Sequence, residues 1–377
     1  MTTKYSERQQ QQSASAFDIA ESHTEWDKEC TSKLNNSDGE RGRGVLQQTL
    51  RILPLALYLS VSIVVISLTQ LIGVPLYVYS RAAYYSWMAM TKKHFGIVLT
   101  TMTYWWIPVE VVIYTDWIYL WWISYTASMH GHLFITLKES IKYVPLIGSA
   151  MKFYSFILLS RRWTVDKMRF KHRLDKLKIG YNGPSSASLT PMWLLIFPEG
   201  TNVSKNGRAT SRKWADKQGI MDMRHCLLPR STGLAFCLTE LEGSVEYLYD
   251  CILAYGGIPS GYYGQDVLSL HGAYPQGRLP TSVNMHWRRF RLSDIPIHDE
   301  ISFEKWLLAR WREKDELLQY FQVNGRFAAD TDVKAPLVGS SIETEVKPVI
   351  WFEWGQIFVP FALAILLVNV ALKITSS

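Results

Sequence analysis

Four short segments carry the side chains best suited to chemistry, in the order Tyr114–Trp117, Phe156–Arg161, Phe197–Thr201 and Leu227–Gly233. The third reads Phe197-Pro198-Glu199-Gly200-Thr201; it follows the apolar run Trp193-Leu194-Leu195-Ile196 and opens into the polar stretch Asn202 to Arg208. A strand ending in Pro-Glu-Gly sets a carboxylate at a turn beside exposed backbone N–H groups, where a phosphate or hydroxyl can be held. Pro and Gly also make ordinary turns, so this segment alone leaves both readings open. Arg161 begins a basic stretch: Arg161 to Lys178 holds eight Lys or Arg against Asp166 and Asp175, a local charge of +6. With Trp163, Met168, Phe170, Leu174 and Leu177 interleaved, it predicts a basic amphipathic helix suited to an anionic membrane or to guiding acidic substrates. A solvated helix face reads the same way. Cys30, Cys226, Cys237 and Cys251 show neither CxxC nor Cys/His spacing, which argues for reduced structural thiols and against a metal site.

The elements that must position these residues follow from patterning. Met192–Phe197 and Leu248–Tyr255 are short, apolar and bounded by turn residues, as buried strands are. Val283, Met285 and Trp287 alternate with Asn284, His286 and Arg288, which predicts a half-exposed strand. Ser302 is placed to cap a helix from Phe303 to about Phe321 with Phe303, Trp306, Leu307, Leu317 and Leu318 on its apolar face. Strands interspersed with helices give an α/β class.

Composition adds a membrane. Of 377 residues, 48% are hydrophobic, 13% aromatic and only 19% charged, with a net charge of +7 that suits acidic partners such as phospholipid headgroups. Ile52 to Ser80 are 29 residues without a charge, ~43 Å as a helix, against a bilayer core of ~30 Å. Gly355 to Leu372 are 18 more, ~27 Å as a helix, preceded by Trp351, Phe352 and Trp354 as an interfacial belt. Both predict membrane helices. Residues 1–44 are polar, with no apolar stretch near Met1 to serve as a cleavable signal, and predict a disordered arm. No nucleic-acid module pattern is present, so nucleic acid is not an expected partner.

The four segments in this order resemble the phospholipid/glycerol acyltransferase family, within it the branch of lysophosphatidate and lysocardiolipin acyltransferases, over about Thr103 to Phe321. The resemblance implies a glycerol-phosphate-acyltransferase-like mixed sheet with flanking helices, plus N-terminal and C-terminal membrane helices. It implies transfer of a fatty acyl group from acyl-CoA, as co-substrate and with no cofactor, to a lysophospholipid of lysophosphatidate type in glycerophospholipid synthesis or remodelling. By the same likeness Asp116 matches the acid of a His-Asp catalytic dyad and Arg161 the phosphate-binding arginine. Phe197, Pro198, Glu199, Gly200 and Thr201 match the acceptor turn, and Pro229 with Arg230 the last block. An integral protein of the endoplasmic reticulum with its site facing the cytosol is the implied setting. The chain then divides into the arm 1–44, a membrane-anchoring helical segment 45–94, an acyltransferase-like domain 95–327, a linker 328–350 and a C-terminal transmembrane helix 351–374.

One block departs from the pattern. Counting back from Asp116, the positions implied to be Asn and His hold Glu110 and Val111, and no histidine stands between His94 and His130. A hydroxyl is a poor nucleophile until a base takes its proton, and imidazole titrates near working pH whereas an aspartate at ~3.9 is a far weaker base. The family inserts a short strand between the match to Tyr104–Pro108 and the Asn-His pair, so the sequence reads as a shortened form. Impaired acyl transfer is the expectation, with a catalytically inactive lipid-binding pseudoenzyme or scaffold as the alternative. His130 and His132 lie beyond the apolar stretch Trp117–Trp122, too far along a helix to stand in, while His225 and His271 are more often structural than catalytic in type.

Overall fold

The computed structural model describes residues 45–106, 116–144, 147–179, 191–258, 262–264, 280–327 and 344–375. The arm 1–44, linker residues 328–343, His271 and the run Pro108–Thr115, which includes Glu110 and Val111, lie outside the described residues.

The described chain opens with an antiparallel helical hairpin: α1 (Val45–Gly73), a helical turn Leu76–Tyr79 and α2 (Arg81–Trp106). Its register is pinned at three levels. Near the open end Trp106 Nε1 donates to the Arg51 carbonyl at 3.2 Å; midway the Tyr58 hydroxyl donates to the Val98 carbonyl at 3.0 Å; near the reversal Trp87 Nε1 donates to the Thr69 carbonyl at 2.7 Å. A Cβ on Gly73 would stand 2.2 Å from Trp87 Cδ1, so the indole closes over the bend only because position 73 has no side chain. Among the described residues two helices are long and apolar enough to cross a membrane, Thr49–Tyr79 and Glu353–Thr375, with mean hydropathies of 2.3 and 2.4. Helix α2 runs unbroken through residues 94 and 95, and its Val98, Leu99 and Met102 join the core against the sheet.

The body follows as α3 (Asp116–Thr126), β1 (Leu133–Lys138), a 3-10 turn Glu139–Tyr143, α4 (Ile147–Phe153), β2 (Ile157–Leu159), α5 (Trp163–Ile179), β3 (Trp193–Leu195), α6 (Lys205–Gln218), α7 (Ser231–Glu240), β4 (Tyr247–Tyr255), β5 (Val283–Arg291) and α8 (Glu300–Asn324). The α/β expectation holds at this level. Strands β2, β1 and β3 form a parallel sheet in that order, with Leu137 opposite Leu158 and Phe134 opposite Leu194, while β4 and β5 pair antiparallel. One core lies between the sheet, α1, α2 and α3 around Val98, Trp121, Ile135 and Phe156; a second gathers Leu228, Leu234, Leu292, Phe303, Leu307 and Trp311; a third seats α5 through Phe170 and Leu174.

Two sequence expectations are corrected. The last long helix starts at Glu300, not Phe303, and its cap is Asp299, whose carboxylate accepts the Ser302 backbone N–H at 3.0 Å; an anionic acceptor also complements the positive end of the helix dipole. In β5, Val283 and Met285 do face the first core, but Trp287 is 40% exposed and Phe290 faces the second core instead. The two ends of the β4–β5 pair thus serve different cores through opposite faces. Arg288, expected outside, is drawn inward by Asp250 and Glu313, its Nη1 lying 2.7 Å from the Glu313 carboxylate.

The C-terminal segment returns across the molecule. A 3-10 turn Glu353–Phe358 leads into α9 (Val359–Thr375), and Trp354 donates from Nε1 to Ser62 Oγ at 3.0 Å while its ring packs on Tyr58 and Trp105. The Tyr125 hydroxyl accepts the Val349 backbone N–H at 2.8 Å and donates to the Glu353 carboxylate. This latch joins the end of the chain to α1, α2 and α3.

Candidate functional site

Parallel strands present their loops at their carboxyl ends, where open α/β sheets take ligands. Here β2 runs out into Ser160-Arg161-Arg162 and β3 into Ile196–Thr201, on either side of the end of β1. Leu159 at the end of β2 pairs with Lys138, and Leu195 at the end of β3 with Ile135. With strands ~4.8 Å apart and ~3.3 Å per residue, the two exits stand roughly 14 Å from one another. Arg161 and the Glu199 turn therefore share one edge of the sheet. They make no hydrogen bond or ion pair with each other among the described residues. The connection from α3 to β1 spans only Ala127 to His132, which brings the end of α3 to the amino end of β1. Trp121 packs on Phe156 and Tyr119 on Tyr255, so α3 lies against the sheet and its first residue, Asp116, stands toward the carboxyl edge. The Asp116 side chain lies outside the described residues, like the Val111 position that precedes it.

Arg161 has a backbone φ of 66°, a left-handed conformation that costs a non-glycine residue roughly 1 kcal/mol or more. Asp166, buried at the start of α5, holds both of its neighbours. Its carboxylate accepts the Ser160 backbone N–H and hydroxyl, each at 2.9 Å, and the Arg162 backbone N–H at 3.2 Å. The strained residue is left exposed between two fixed ones, with its guanidinium free of any ion pair among the described residues.

The turn after β3 is built in a similar way. The Gly200 N–H donates to the Phe197 carbonyl at 3.0 Å, and Gly200 has a φ of 69°, the conformation for which glycine is the natural choice. The Arg230 N–H donates to the Pro198 carbonyl at 2.9 Å, and a Cβ on Gly200 would lie 3.9 Å from Arg230 Nε. The third and fourth segments therefore meet: Arg230, at the entry to α7, borders the Glu199-Gly200 turn, and Pro229 is buried beneath it. Thr201 is exposed, as is Phe197. Arg161 and Arg230, with the positive end of α7, make this edge suited to an anion.

Helix α8 fixes the turn from behind, and the sequence reading missed it. Trp311 Nε1 donates to Glu199 Oε1 at 3.1 Å, aiming the carboxylate. One turn on, Asp315 accepts the backbone N–H groups of Arg224, His225 and Cys226 at 2.8, 2.7 and 3.2 Å, anchoring the run that leads to Pro229. Burial pushes the Asp315 carboxyl up, but those three donors outweigh it and hold it below its ordinary range. Burial, then the nearby Glu199 and Asp315 carboxylates, push the Cys226 thiol far up, so it is an inert thiol rather than a nucleophile. Between these residues Lys314, 8% exposed, pairs with Asp250 at 2.8 Å. The signal in the sequence was a lysine on the apolar stripe Phe303, Leu307, Trp311, Phe321, since a lysine is almost never buried without a partner. Asp315→Ala leaves three N–H groups without their acceptor. The expected result is a loss of about 1–3 kcal/mol in denaturant unfolding and faster amide exchange across 224–230.

Of the histidines weighed as a substitute base, the three among the described residues are placed elsewhere or otherwise occupied. His130 and His132 stand at the amino end of β1, the opposite edge from Arg161; His130 is packed on Tyr125, and burial lowers its pKa to about 4. His225 shares its ring with Gln319, 2.9 Å from Nε2, while its backbone is held by Asp315.

The models of two families match this chain, one described as Acyltransferase over residues 112–247 and one described as Acyltransferase C-terminus over residues 276–351. The first match begins one residue after Val111. A 2-acyl-1-lysophosphatidylinositol acyltransferase of Saccharomyces cerevisiae is 36% identical over 253 residues, covering 60% of this chain and 64% of that protein. An uncharacterized acyltransferase of Schizosaccharomyces pombe is 32% identical over 305 residues, 72% of this chain and 85% of that protein. Lysocardiolipin acyltransferase 1 of Danio rerio is 31% identical over 208 residues, 55% of this chain and 49% of that protein. The chain thus spans less than two thirds of the yeast lysophosphatidylinositol enzyme and about half of the fish one. No solved structure matches.

Proposed function

We propose, from the premise that this chain belongs to the acyltransferase family, that it binds a lysophospholipid at the carboxyl edge of the parallel sheet and supports acyl transfer to it from acyl-CoA only weakly. The observation that carries this reading is the meeting of the Pro198-Glu199-Gly200 turn with Arg230, on the sheet edge that also bears Arg161. In this reading the guanidinium groups of Arg161 and Arg230 take the phosphate, since charge-assisted bonds from arginine to phosphate oxygens are strong and directional. Glu199, aimed by Trp311, accepts a hydroxyl of the glycerol and orients it. Phe197, Pro198 and Thr201 border the acceptor, and Pro229 shapes the side where the acyl chain lies. The names of the relatives favour a lysophosphatidylinositol or lysocardiolipin acceptor alongside lysophosphatidate.

The chemistry then needs a base. The acceptor oxygen attacks the thioester carbonyl, the tetrahedral intermediate collapses, and CoA thiolate leaves; the acceptor's proton must go to a side chain. Asp116 is there to orient an imidazole that Val111 does not supply. That single absence favours a second reading, a lipid-binding pseudoenzyme that keeps the cradle without the turnover. An endomembrane, the endoplasmic reticulum in particular, with the site toward cytosolic acyl-CoA, suits either reading, and the two apolar helices support a membrane setting.

Titration of lysophosphatidate or lysophosphatidylinositol into the reconstituted full chain tests the cradle without requiring turnover. Arg161→Ala is expected to weaken binding about tenfold or more, the effect of losing one charge-assisted bond of ~1.5–3 kcal/mol. Equal affinities for both chains would remove Arg161 from the site.

A further inference from the structure

We propose that the 3-10 turn Glu139–Tyr143, the start of α4 and the outer face of α5 form a surface that seats the body on an anionic lipid leaflet beside α1. The surface begins at α1. Ile147 and Met151 of α4 close a small apolar space with Ile63 and Ile66, so α4 lies directly against the candidate span Thr49–Tyr79. Outward from that contact Tyr143, Val144 and Ile147 are exposed by 76%, 42% and 36%. Glu139 ties this turn to α5 through Arg169, Nη1 to Oε1 at 3.0 Å, and on α5 Val165 and Met168 are exposed by 47% and 72%. An apolar strip thus continues from the lipid-suited helix onto the body.

Cations frame the strip, and the acids near it are occupied. Asp166 is buried and spent on Ser160 and Arg162; Asp175 pairs with Lys171 and Lys178 at 3.7 and 3.2 Å; Glu139 pairs with Lys142 and Arg169. Arg161, Arg162, Lys167 and Lys176 are exposed and have no ion pair among the described residues. Exposed apolar side chains ringed by unpaired cations are what an anionic leaflet complements: the apolar groups enter the boundary and the cations meet lipid phosphates. The docking does not depend on the acyltransferase reading. Its consequence does: Arg161 stands on the border between this surface and the sheet edge, so a lysophospholipid would pass sideways from leaflet to cradle, headgroup first.

Methionine oxidation reads the docking directly. The full chain is reconstituted in nanodiscs of phosphatidylcholine, with or without phosphatidylinositol, treated with dilute hydrogen peroxide and followed by mass spectrometry. Met221, 79% exposed and held through its carbonyl by Arg312, serves as the reference. In phosphatidylinositol discs Met168 is expected to oxidise at least fivefold more slowly than Met221. In neutral discs, at 1 M salt, or in an Arg162→Gln, Lys167→Gln, Lys176→Gln chain, the two rates should converge. Equal rates in anionic discs would overturn the proposal, as would equal protection in neutral and anionic discs. Protection in lipid-free detergent that grows with protein concentration would assign the surface to a second copy and overturn it too. Lipid binding by the Arg161 cradle is scored separately, so either result can fail alone.

Discussion

Glu110→Asn together with Val111→His is expected to raise acyl-CoA-dependent acylation of a lysophospholipid by at least 100-fold over the unaltered chain. The magnitude follows from what a general base contributes, about 10²–10⁴ in rate, and from the way residues of a catalytic pair act as a unit. The residues proposed to hold the acceptor, Arg161, Glu199 and Arg230, border one edge of the sheet, and Asp116 opens α3. Radiolabelled acyl-CoA and membranes containing either chain make the comparison. Vigorous and equal turnover in both would show that another group takes the acceptor's proton. If both are silent while lysophospholipid binding persists, the cradle is intact and the missing part is the strand as well as the histidine. The unaltered chain would then be a binder by construction.

Asp250→Asn is expected to cost about 3–5 kcal/mol, the penalty for leaving buried cations without their acid. Asp250 on β4 holds Lys314 of α8 at 2.8 Å and Arg288 of β5 through Nε at 3.1 Å. Arg288 keeps Glu313, but Lys314, over the Trp311 ring at 4.0 Å and 8% exposed, has nowhere to put its charge. In thermal unfolding of the detergent-solubilised chain, the loss corresponds to roughly 6–20 °C at about 2–4 °C per kcal/mol. Adding Lys314→Met should recover much of it, since the surviving cation is then the one with a partner; a double variant as unstable as the single would show that the ion pair is not the source. Burial raises the Asp250 carboxyl, but Lys314 and Arg288 outweigh it and its pKa is lowered on folding. The corresponding stability is therefore present above the unfolded value of about 3.9 and lost as pH falls through the folded one.

The strands around the site were legible because their apolar runs are short and end in turn residues. Met192–Phe197 contains β3 at Trp193–Leu195, and Leu248–Tyr255 is extended by one residue at Tyr247. The juxtaposition of Arg230 with the Glu199 turn was legible only as a resemblance, because 31 residues of chain separate them and no local pattern encodes that contact. The roles of Trp311 and Asp315 were not legible at all. On a helix read by its period they count as an apolar residue and a polar one, and what they hold lies 112 and 89 to 91 positions away. The reversed alternation in β5 has a comparable origin: a strand that touches two cores obeys neither one's pattern throughout, and Arg288 turns inward because Asp250 and Glu313 meet it there.

The latch between Tyr125, Ser62 and the Val349–Trp354 segment joins positions 224 to 292 residues apart. A chain emerging from the ribosome in order has folded its hairpin and sheet before that segment exists. The hydroxyls of Tyr125 and Ser62 must wait, hydrated, until the segment carrying Val349 and Trp354 leaves the exit tunnel. Emergence of the 349–354 segment is thus the event that closes this seam, and any messenger cut short before those codons yields a body whose seam stays open.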